Sequence, residues 1–301
     1  MSRLFMMIGL PGSGKSYYAE VLNKKIGAIV LSSDEIREQL FGNETNQDNN
    51  SKVFEELHNA VKYYLKLDKD VVYDATNISY KRRIEFLKSL NSIPNVEKIS
   101  IMVVTPIEKC IEQNNLRDRI VPGHVIDRMY KQFYVPQYFE GWDKIEFIWN
   151  NCENYDKERL LEEIDIEQNN PHHTLTVKEH CSQCCENMCE ITEDNNLLIA
   201  AMLHDIGKPY CKTFENKKRE ITEIAHYYGH ENVGAYNSLC YTKNDTMLTE
   251  EDSLEISKYI QWHMLFYNDM SEKTIKKYED LLGFEFTNNL KLLKSADEKA
   301  K

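Results

Sequence analysis

The sequence predicts a multidomain protein: an α/β domain built on a parallel sheet with helices on both faces, followed by an all-helical domain. Three observations carry this. The chain has 301 residues, enough for two domains, since single hydrophobic cores stop growing near about 250–300 residues. Short apolar runs alternate with longer helical patterns as far as Trp149, as strands and helices do in a parallel sheet. From Asn150 to Asn170 the chain turns polar and acidic, and beyond Asn170 it reads as helical with no convincing strand. Residues 1–150 are therefore assigned to the first domain, 151–169 to a linker and 170–301 to the second domain, with Asn169-Asn170-Pro171 as the boundary signal.

In chain order, strands are expected at residues 4–8, 28–31, 71–73, 99–104 and 145–149, each a short run too apolar to face water. A helix is expected from Tyr17 to Lys25, and the polar run from Asn43 to Lys52 reads as a surface loop beside the first domain's site. In the second domain, Val177, Cys181, Cys184, Cys185 and Met188 fall on the stripe that a helix buries. The Cys181/Cys184 spacing also permits a zinc or iron–sulfur site, but cysteine commonly behaves as a small buried hydrophobe, and the helical stripe favours that reading, with Cys189 just beyond it.

Composition narrows the function. At 42% hydrophobic and 29% charged, the chain is neither disordered nor a disulfide scaffold. A net charge of −12 disfavours non-specific coating of nucleic acid or docking on anionic lipid. Residues 1–150 hold 20 basic and 20 acidic side chains and the remainder 17 and 29, so the acidic excess lies in the second domain and a local basic groove in the first stays open. Nothing reads as a leader or a membrane span, and a cytoplasmic protein is expected.

Gly9, Pro11, Gly12, Ser13, Gly14, Lys15 and Ser16 satisfy the spacing G-x-x-x-x-G-K-S between a strand and a helix. The backbone amides of such a loop wrap phosphates, the lysine reaches the β and γ phosphates, and the serine hydroxyl ligates Mg²⁺. Asp34 lies just past the second strand, where open α/β sheets place ligands; it is a candidate general base or else an N-cap. Arg37 follows one turn later and suits a phosphate on the acceptor. Asp74, ending the third strand, orients the metal's water or the acceptor, or serves a turn. Arg117 and Arg119 sit in a break between helices, placed to close over phosphates or to pair with Asp118 or Asp127.

The set Gly9–Ser16, Asp34-x-x-Arg37, Asp74-x-Thr76-Asn77 and Arg117 followed by Val121-Pro122-x-x-Val125-Ile126-x-x-Met129-Tyr130-Lys131 resembles the kinase domain of phage-type polynucleotide 5′-kinases over about residues 1–150. The resemblance implies a P-loop NTPase fold and ATP- and Mg²⁺-dependent phosphorylation of a 5′-hydroxyl. It further implies that Asp34 is the general base, Arg37 holds the 3′ phosphate of the acceptor nucleotide, and Arg117 contacts the donor phosphates.

In the second domain, the apolar helix 197–203 ends in His204-Asp205-Ile-Gly207-Lys208-Pro209, with Gly207 and Pro209 read as helix-stop signals. A histidine and an aspartate at a buried helix end are costly unless paired, and His180, His226, His230, His263 and Asp297 are further candidate ligands. The H…HD…D series His180, His204-Asp205, Asp297 resembles the HD phosphohydrolase superfamily, and residues 170–301, through Asn170–His180 (His173 included) and Tyr228–Glu231, most resemble the HD domains appended to bacterial tRNA nucleotidyltransferases. This implies an all-α HD fold in which His180, His204, Asp205 and Asp297 bind a first divalent transition metal such as Mn²⁺, Ni²⁺, Co²⁺ or Zn²⁺. His230 and His263 complete a second site, and Lys208 contacts substrate phosphate. His173 and His226 are left as supporting or structural residues.

The pair of domains resembles bifunctional end-healing enzymes. The implied substrates are nucleic-acid ends, RNA ahead of DNA, with 5′-hydroxyls phosphorylated and 3′-phosphate or 2′,3′-cyclic phosphate removed. No membrane partner is expected. Two alternatives stay open: a small-molecule kinase joined to a nucleotidase, and a nucleotide-sensing module with an inactive HD domain.

Overall fold

The structure, a computed structural model, describes residues 1–43, 49–171 and 174–300; His173 and part of the polar run 43–52 lie outside the described residues. The chain divides into two compact units, Met1–Met129 with Pro136–Asn151, and Tyr130–Val135 with Cys152–Lys301.

In the first unit, β1 (Ser2–Ile8), β2 (Ile29–Ser32), β3 (Val71–Asp74), β4 (Val96–Val104) and β5 (Lys144–Trp149) form an all-parallel sheet in the order β2-β3-β1-β4-β5. Between the strands run α1 (Lys15–Ile26), α2 (Ser33–Phe41), α3 (Asn50–Lys66), α4 (Tyr80–Ser89), α5 (Ile107–Asn115) and α6 (Gly123–Lys131). Leu4, Met6, Met7, Ile8, Val71, Val72 and Met102 are almost fully buried, as strands covered on both faces require. Phe5, Met7, Val72, Ile101 and Val103 pack with Ala19 of α1. On the alternate residues of the strands, Tyr73 meets His58 of α3 and Phe86 of α4. Val53, Leu57, Val61 and Leu65, four residues apart, give α3 its buried stripe. The strand order reverses on either side of β1, so the loop after β1 opens at the switch point where such sheets bind ligands.

The second unit is mainly helical: α7 (Lys157–Glu163), α8 (Val177–Cys189), α9 (Asn195–Leu203), α10 (Lys208–Cys211), α11 (His230–Lys243), α12 (Glu250–Trp262), α13 (Glu272–Leu282) and α14 (Phe284–Lys299). Three features depart from the sequence expectation. The segment 130–135 packs into this unit: Val135 N donates to Gln261 Oε1 at 2.9 Å, Gln261 Nε2 donates to the Phe133 carbonyl, and the rings of Tyr130 and Phe133 meet Tyr236 edge-on. The stretch expected as linker carries α7 and buries Leu160 and Ile164. Between α10 and α11 lies an antiparallel hairpin, β6 (Thr213–Glu215) and β7 (Ile221–His226), too short and too exposed to leave an apolar strand signature.

Cys181 and Cys184 are buried on α8 as thiols outside any disulfide. Burial pushes them up to about 11 and about 12, so they stay protonated and serve as packing. Among the described residues, no helix is long and apolar enough to cross a membrane.

Candidate active sites

In the first unit, the turn after β1 is forced by its neighbours. Gly12 has a left-handed φ of 78°, and a Cβ there would stand 2.1 Å from the Cys110 carbonyl of α5. The Ser13 carbonyl accepts from Thr105 Oγ1 at 2.9 Å and from Asn150 Nδ2 at 3.2 Å, tying the loop to the ends of β4 and β5. Gly14 caps α1 without a side-chain bond, which leaves the first amides of that helix for an anion, with Ser16 exposed beside them. Lys15 Nζ donates to the Leu10 carbonyl at 2.7 Å, and burial lowers its pKa although Asp74 and Asp34 oppose the shift. Arg117 acts electrostatically on the same ammonium, so Lys15, Asp74, Arg117 and Asp34 share one neighbourhood.

Ser32 caps α2 by accepting from Asp34 N, which releases the Asp34 carboxylate from a capping role. That carboxylate holds Arg37 at 2.5 Å on one oxygen and Arg119 at 2.9 Å on the other. Arg37 is buried, its Nη2 donates to Asn50 Oδ1, and its Nε has no hydrogen-bond partner among the described residues. An incoming phosphate can take these guanidinium donors in place of Asp34, freeing the carboxylate to accept a proton. Asn50 also lines a cavity of about 670 Å³ between α3 and α4, whose walls include Phe54, His58, Tyr73, Phe86 and Arg82. His58 stacks on Phe86 at 4.3 Å and its Nε2 lies 3.1 Å from the Tyr73 hydroxyl. Burial, helped by Lys62, lowers its pKa to about 4, so the imidazole is neutral at pH 7.

Sequence reasoning missed Arg83 and Glu140. They form a fully buried bidentate pair with both contacts at 2.6 Å, and Arg83 also donates to the Asn77 carbonyl, bracing the loop after β3. Buried charges persist only when paired this completely. Because 57 residues separate the partners, no local pattern announces the pair.

In the second unit, all six ligands expected from the sequence converge. His180, His204 and Asp297 form one group, and Asp205, His230 and His263 form another, the ligand atoms of each within 4.8 Å of one another. Asp205 links them: Oδ2 lies 3.4 Å from His180 Nε2 and 3.3 Å from His204 Nε2, while Oδ1 lies 3.2 Å from His230 Nε2 and 3.9 Å from His263 Nε2. Asp297 Oδ1 lies 2.8 Å from His180 Nε2.

Local structure sets the tautomers. The Nδ1 atoms of His204, His230 and His263 each face the carbonyl three residues earlier, at 2.7–2.8 Å, while His180 Nδ1 faces the Ala300 carbonyl at 2.6 Å. A carbonyl only accepts, so Nδ1 carries a proton, and a ring in its neutral form turns its Nε2 lone pair to the cluster. His230 Nε2 and His263 Nε2 face each other at 3.2 Å, and buried His204 Nε2 lacks a hydrogen-bond partner among the described residues. Lone pairs converging on buried carboxylates are satisfied by a cation, so the residues fit a pair of divalent metals. A proton competes with a metal cation for the same lone pair. Burial opposes charge throughout, yet Asp205 and Asp297 hold the His204 pKa well above its usual value. Lys208 and His204 hold Asp205 well below the carboxylate range, again against burial. His263 is pushed down to about 3 by burial and by its histidine neighbours.

Lys208 Nζ bonds Asp205 Oδ2 at 2.5 Å and Gln168 Oε1 at 2.7 Å. Gln168 and Tyr267, whose hydroxyl donates to Asp297 Oδ2, were not legible in the sequence. His226, at the end of β7 and stacked on Tyr228, is in neither ligand group. Gly207, read as a helix stop, has an ordinary φ of −80°, and Pro209 opens α10 instead of ending a helix. The reason for Gly207 is space: a Cβ would stand 2.0 Å from the His230 carbonyl and 2.6 Å from Gly234 N. That close approach brings His204 and Asp205 against the start of α11.

Comparison with known proteins matches two families to separate parts of the chain. Residues 4–136 match the AAA domain family and residues 172–299 match the HD domain family. The chain thus joins a P-loop kinase domain to a helical HD domain. It is 26% identical over 178 residues to the L-seryl-tRNA(Sec) kinase of Methanococcus maripaludis, covering 55% of this chain and 66% of that protein. It is 30% identical over 154 residues to a protein of Acanthamoeba polyphaga mimivirus named provisionally as a bifunctional polynucleotide phosphatase/kinase, covering 48% of this chain and 32% of that protein. The chain therefore spans less than two thirds of either curated relative. Among solved structures, a chain of the Pnkp1/Rnl/Hen1 RNA repair complex aligns with a TM-score of 0.39 at 19% identity, covering 44% of this chain and 43% of that one.

Proposed function

We propose that the protein heals nucleic-acid ends: its first unit transfers the γ-phosphate of ATP to a 5′-hydroxyl, and its second removes 3′-phosphate or 2′,3′-cyclic phosphate. The observation that supports this reading is the presence, in one chain, of two residue sets suited to phosphate chemistry: a P-loop near a carboxylate held by two arginines, and a cluster of candidate metal ligands bridged by Asp205. The provisional name of the mimiviral relative couples the same two activities.

In the first unit, the amides at the start of α1 and Lys15 hold the donor phosphates, with Ser16 as the Mg²⁺ ligand. Arg37 and Arg119 receive the acceptor's phosphate, and Asp34 takes the proton of the attacking hydroxyl. Arg117 stabilises charge on the transferred group. In the second unit, His180, His204, Asp205 and Asp297 hold one cation, with Asp205, His230 and His263 around the other. When bound, divalent cations supply Lewis acidity to the phosphoryl centre. Lys208, buried on Asp205 and Gln168, offers its ammonium to a substrate phosphate oxygen.

The aromatic cavity of about 670 Å³ is of single-nucleoside size and favours a second reading, a small-molecule kinase joined to a nucleotidase. Assays with a 5′-hydroxyl oligonucleotide, a 3′-phosphorylated oligonucleotide and free nucleosides separate the two. Phosphorylation of nucleosides alone would sink the end-healing reading. Under either reading, Lys15→Ala abolishes the kinase and spares the phosphatase, and Asp205→Ala does the reverse.

A further inference from the structure

The β6–β7 hairpin is rooted in the metal-ligand cluster at both ends. β6 begins five residues after Lys208, and β7 ends four residues before His230. Its base is fixed: Ala225 N donates to the Asn169 carbonyl at 2.9 Å, and Lys212 Nζ bonds the Glu167 carbonyl and Asn169 Oδ1. Its tip is an organised turn. Asn216 Oδ1 accepts from the amides of Lys218 and Glu220, Asn216 N donates to the Glu220 carbonyl, and Arg219 adopts a left-handed φ of 65°.

This turn displays Lys217, Lys218 and Arg219 in solvent, and among the described residues no carboxylate lies within ion-pair distance of any of them. The acidic side chains of the hairpin are Glu215, Glu220 and Glu223, and the Glu220 carboxylate is taken by Asn216 Nδ2 at 2.8 Å. Lys217, Lys218 and Arg219 form the one run of three consecutive basic residues in a region that carries 17 basic and 29 acidic side chains. Lys217 Nζ lies 5.5 Å from the ring of Tyr228, which is exposed and stacks on His226 at an interplanar angle of 9°. Phe214, Ile221 and Ile224 are also exposed, more apolar surface than a two-stranded element needs for its own stability.

We propose that this hairpin is an arm that grips the single strand leading into the metal-ligand cluster, a role that rests on the end-healing reading. Lys217, Lys218 and Arg219 take backbone phosphates, and the Tyr228–His226 stack offers its outer face to a base. Cations beside an exposed stacked ring match the two repeating features of a nucleic-acid strand, its charge and its bases. A free mononucleotide offers only one of each.

The test uses the full chain and the triple variant Lys217→Glu, Lys218→Glu, Arg219→Glu. Dephosphorylation is measured on a 3′-phosphorylated 12-mer RNA and on a nucleoside 3′-phosphate, which also reports that the variant is folded. The expected result is a KM for the 12-mer raised about ten-fold or more and an unchanged KM for the mononucleotide. The salt dependence for the 12-mer also becomes shallower, by about 0.7 in log–log slope for each backbone phosphate that the variant no longer neutralises. Tyr228→Ala is expected to weaken the 12-mer alone, by about five-fold or more. Equal 12-mer KM in the wild type and the triple variant would overturn the arm while leaving end healing intact. Wild-type turnover of the mononucleotide with none of the 12-mer would overturn both.

Discussion

Gly207 shows at the residue scale how a single missing methyl group builds a site. Gly207 precedes α10, and its φ of −80° would accept alanine. The His230 carbonyl, 2.0 Å from a Cβ there, decides otherwise. Gly207→Ala is expected to destabilise the second unit by about 2–3 kcal/mol and to move His204 and Asp205 away from His230. Denaturant melts and metal titration check both effects; a stabilised variant with unaltered metal affinity would refute this role for Gly207. His58 makes a different residue-scale prediction. Its folded pKa of about 4 lies below the unfolded value near 6.5, so the unfolded chain binds more protons between those values. The stability it contributes is present above about pH 6.5 and is lost as pH falls toward about 4. His58→Gln is expected to flatten the fall in melting temperature between about pH 6.5 and 4.5, and an unchanged slope would exclude His58 as the cause.

At the scale of elements, periodicity and punctuation were largely legible. Five strands lie within a few residues of their expected positions, because strands covered on both faces must be apolar throughout and are then cut off sharply by polar loops. The candidate site residues could be picked out because their surroundings are local: a glycine-rich loop presents adjacent amides, and three of the four candidate ligand histidines use the carbonyl three residues earlier. The features that were not legible have partners remote in sequence. Gln168, Tyr267 and the Arg83–Glu140 pair belong here, and so does the exposed β6–β7 hairpin, whose strands lack a buried stripe. α14 illustrates the remote case. Asp297 lies near its end, yet the helix is pinned by His180 Nδ1 on the Ala300 carbonyl, by Asn187 on the Ala296 carbonyl, and by buried Leu290, Leu293 and Ala296. Deleting residues 296–301 removes both Asp297 and the anchor of His180, and is expected to reduce bound divalent metal by half or more. Metal analysis of the purified protein measures this; full occupancy would show that the helix end is dispensable.

At the scale of the whole molecule, the two units are not two consecutive stretches of chain. Tyr130–Val135 belongs to the core of the helical unit, through Tyr236, Asn237 and Gln261. A chain that starts at residue 152 is therefore expected to melt below the corresponding transition of the full protein and to expose the surface that Tyr130 and Phe133 cover. Equal melting temperatures would show that the segment adds nothing to that core. The net charge of −12 resolves in the same way, into a neutral first half and an acidic second half that holds a buried cluster of carboxylates and imidazoles suited to cations.

By itself, the sequence pointed to the five strands of the parallel sheet, the phosphate loop and the six metal-ligand candidates, since each depends on residue type and short-range spacing. Only the tertiary structure decided that Asp205 joins two ligand groups, that Asp34 is held by Arg37 and Arg119, and that a basic hairpin stands beside the cluster. Those facts depend on distances between segments as many as 120 residues apart, which packing sets and no local pattern encodes.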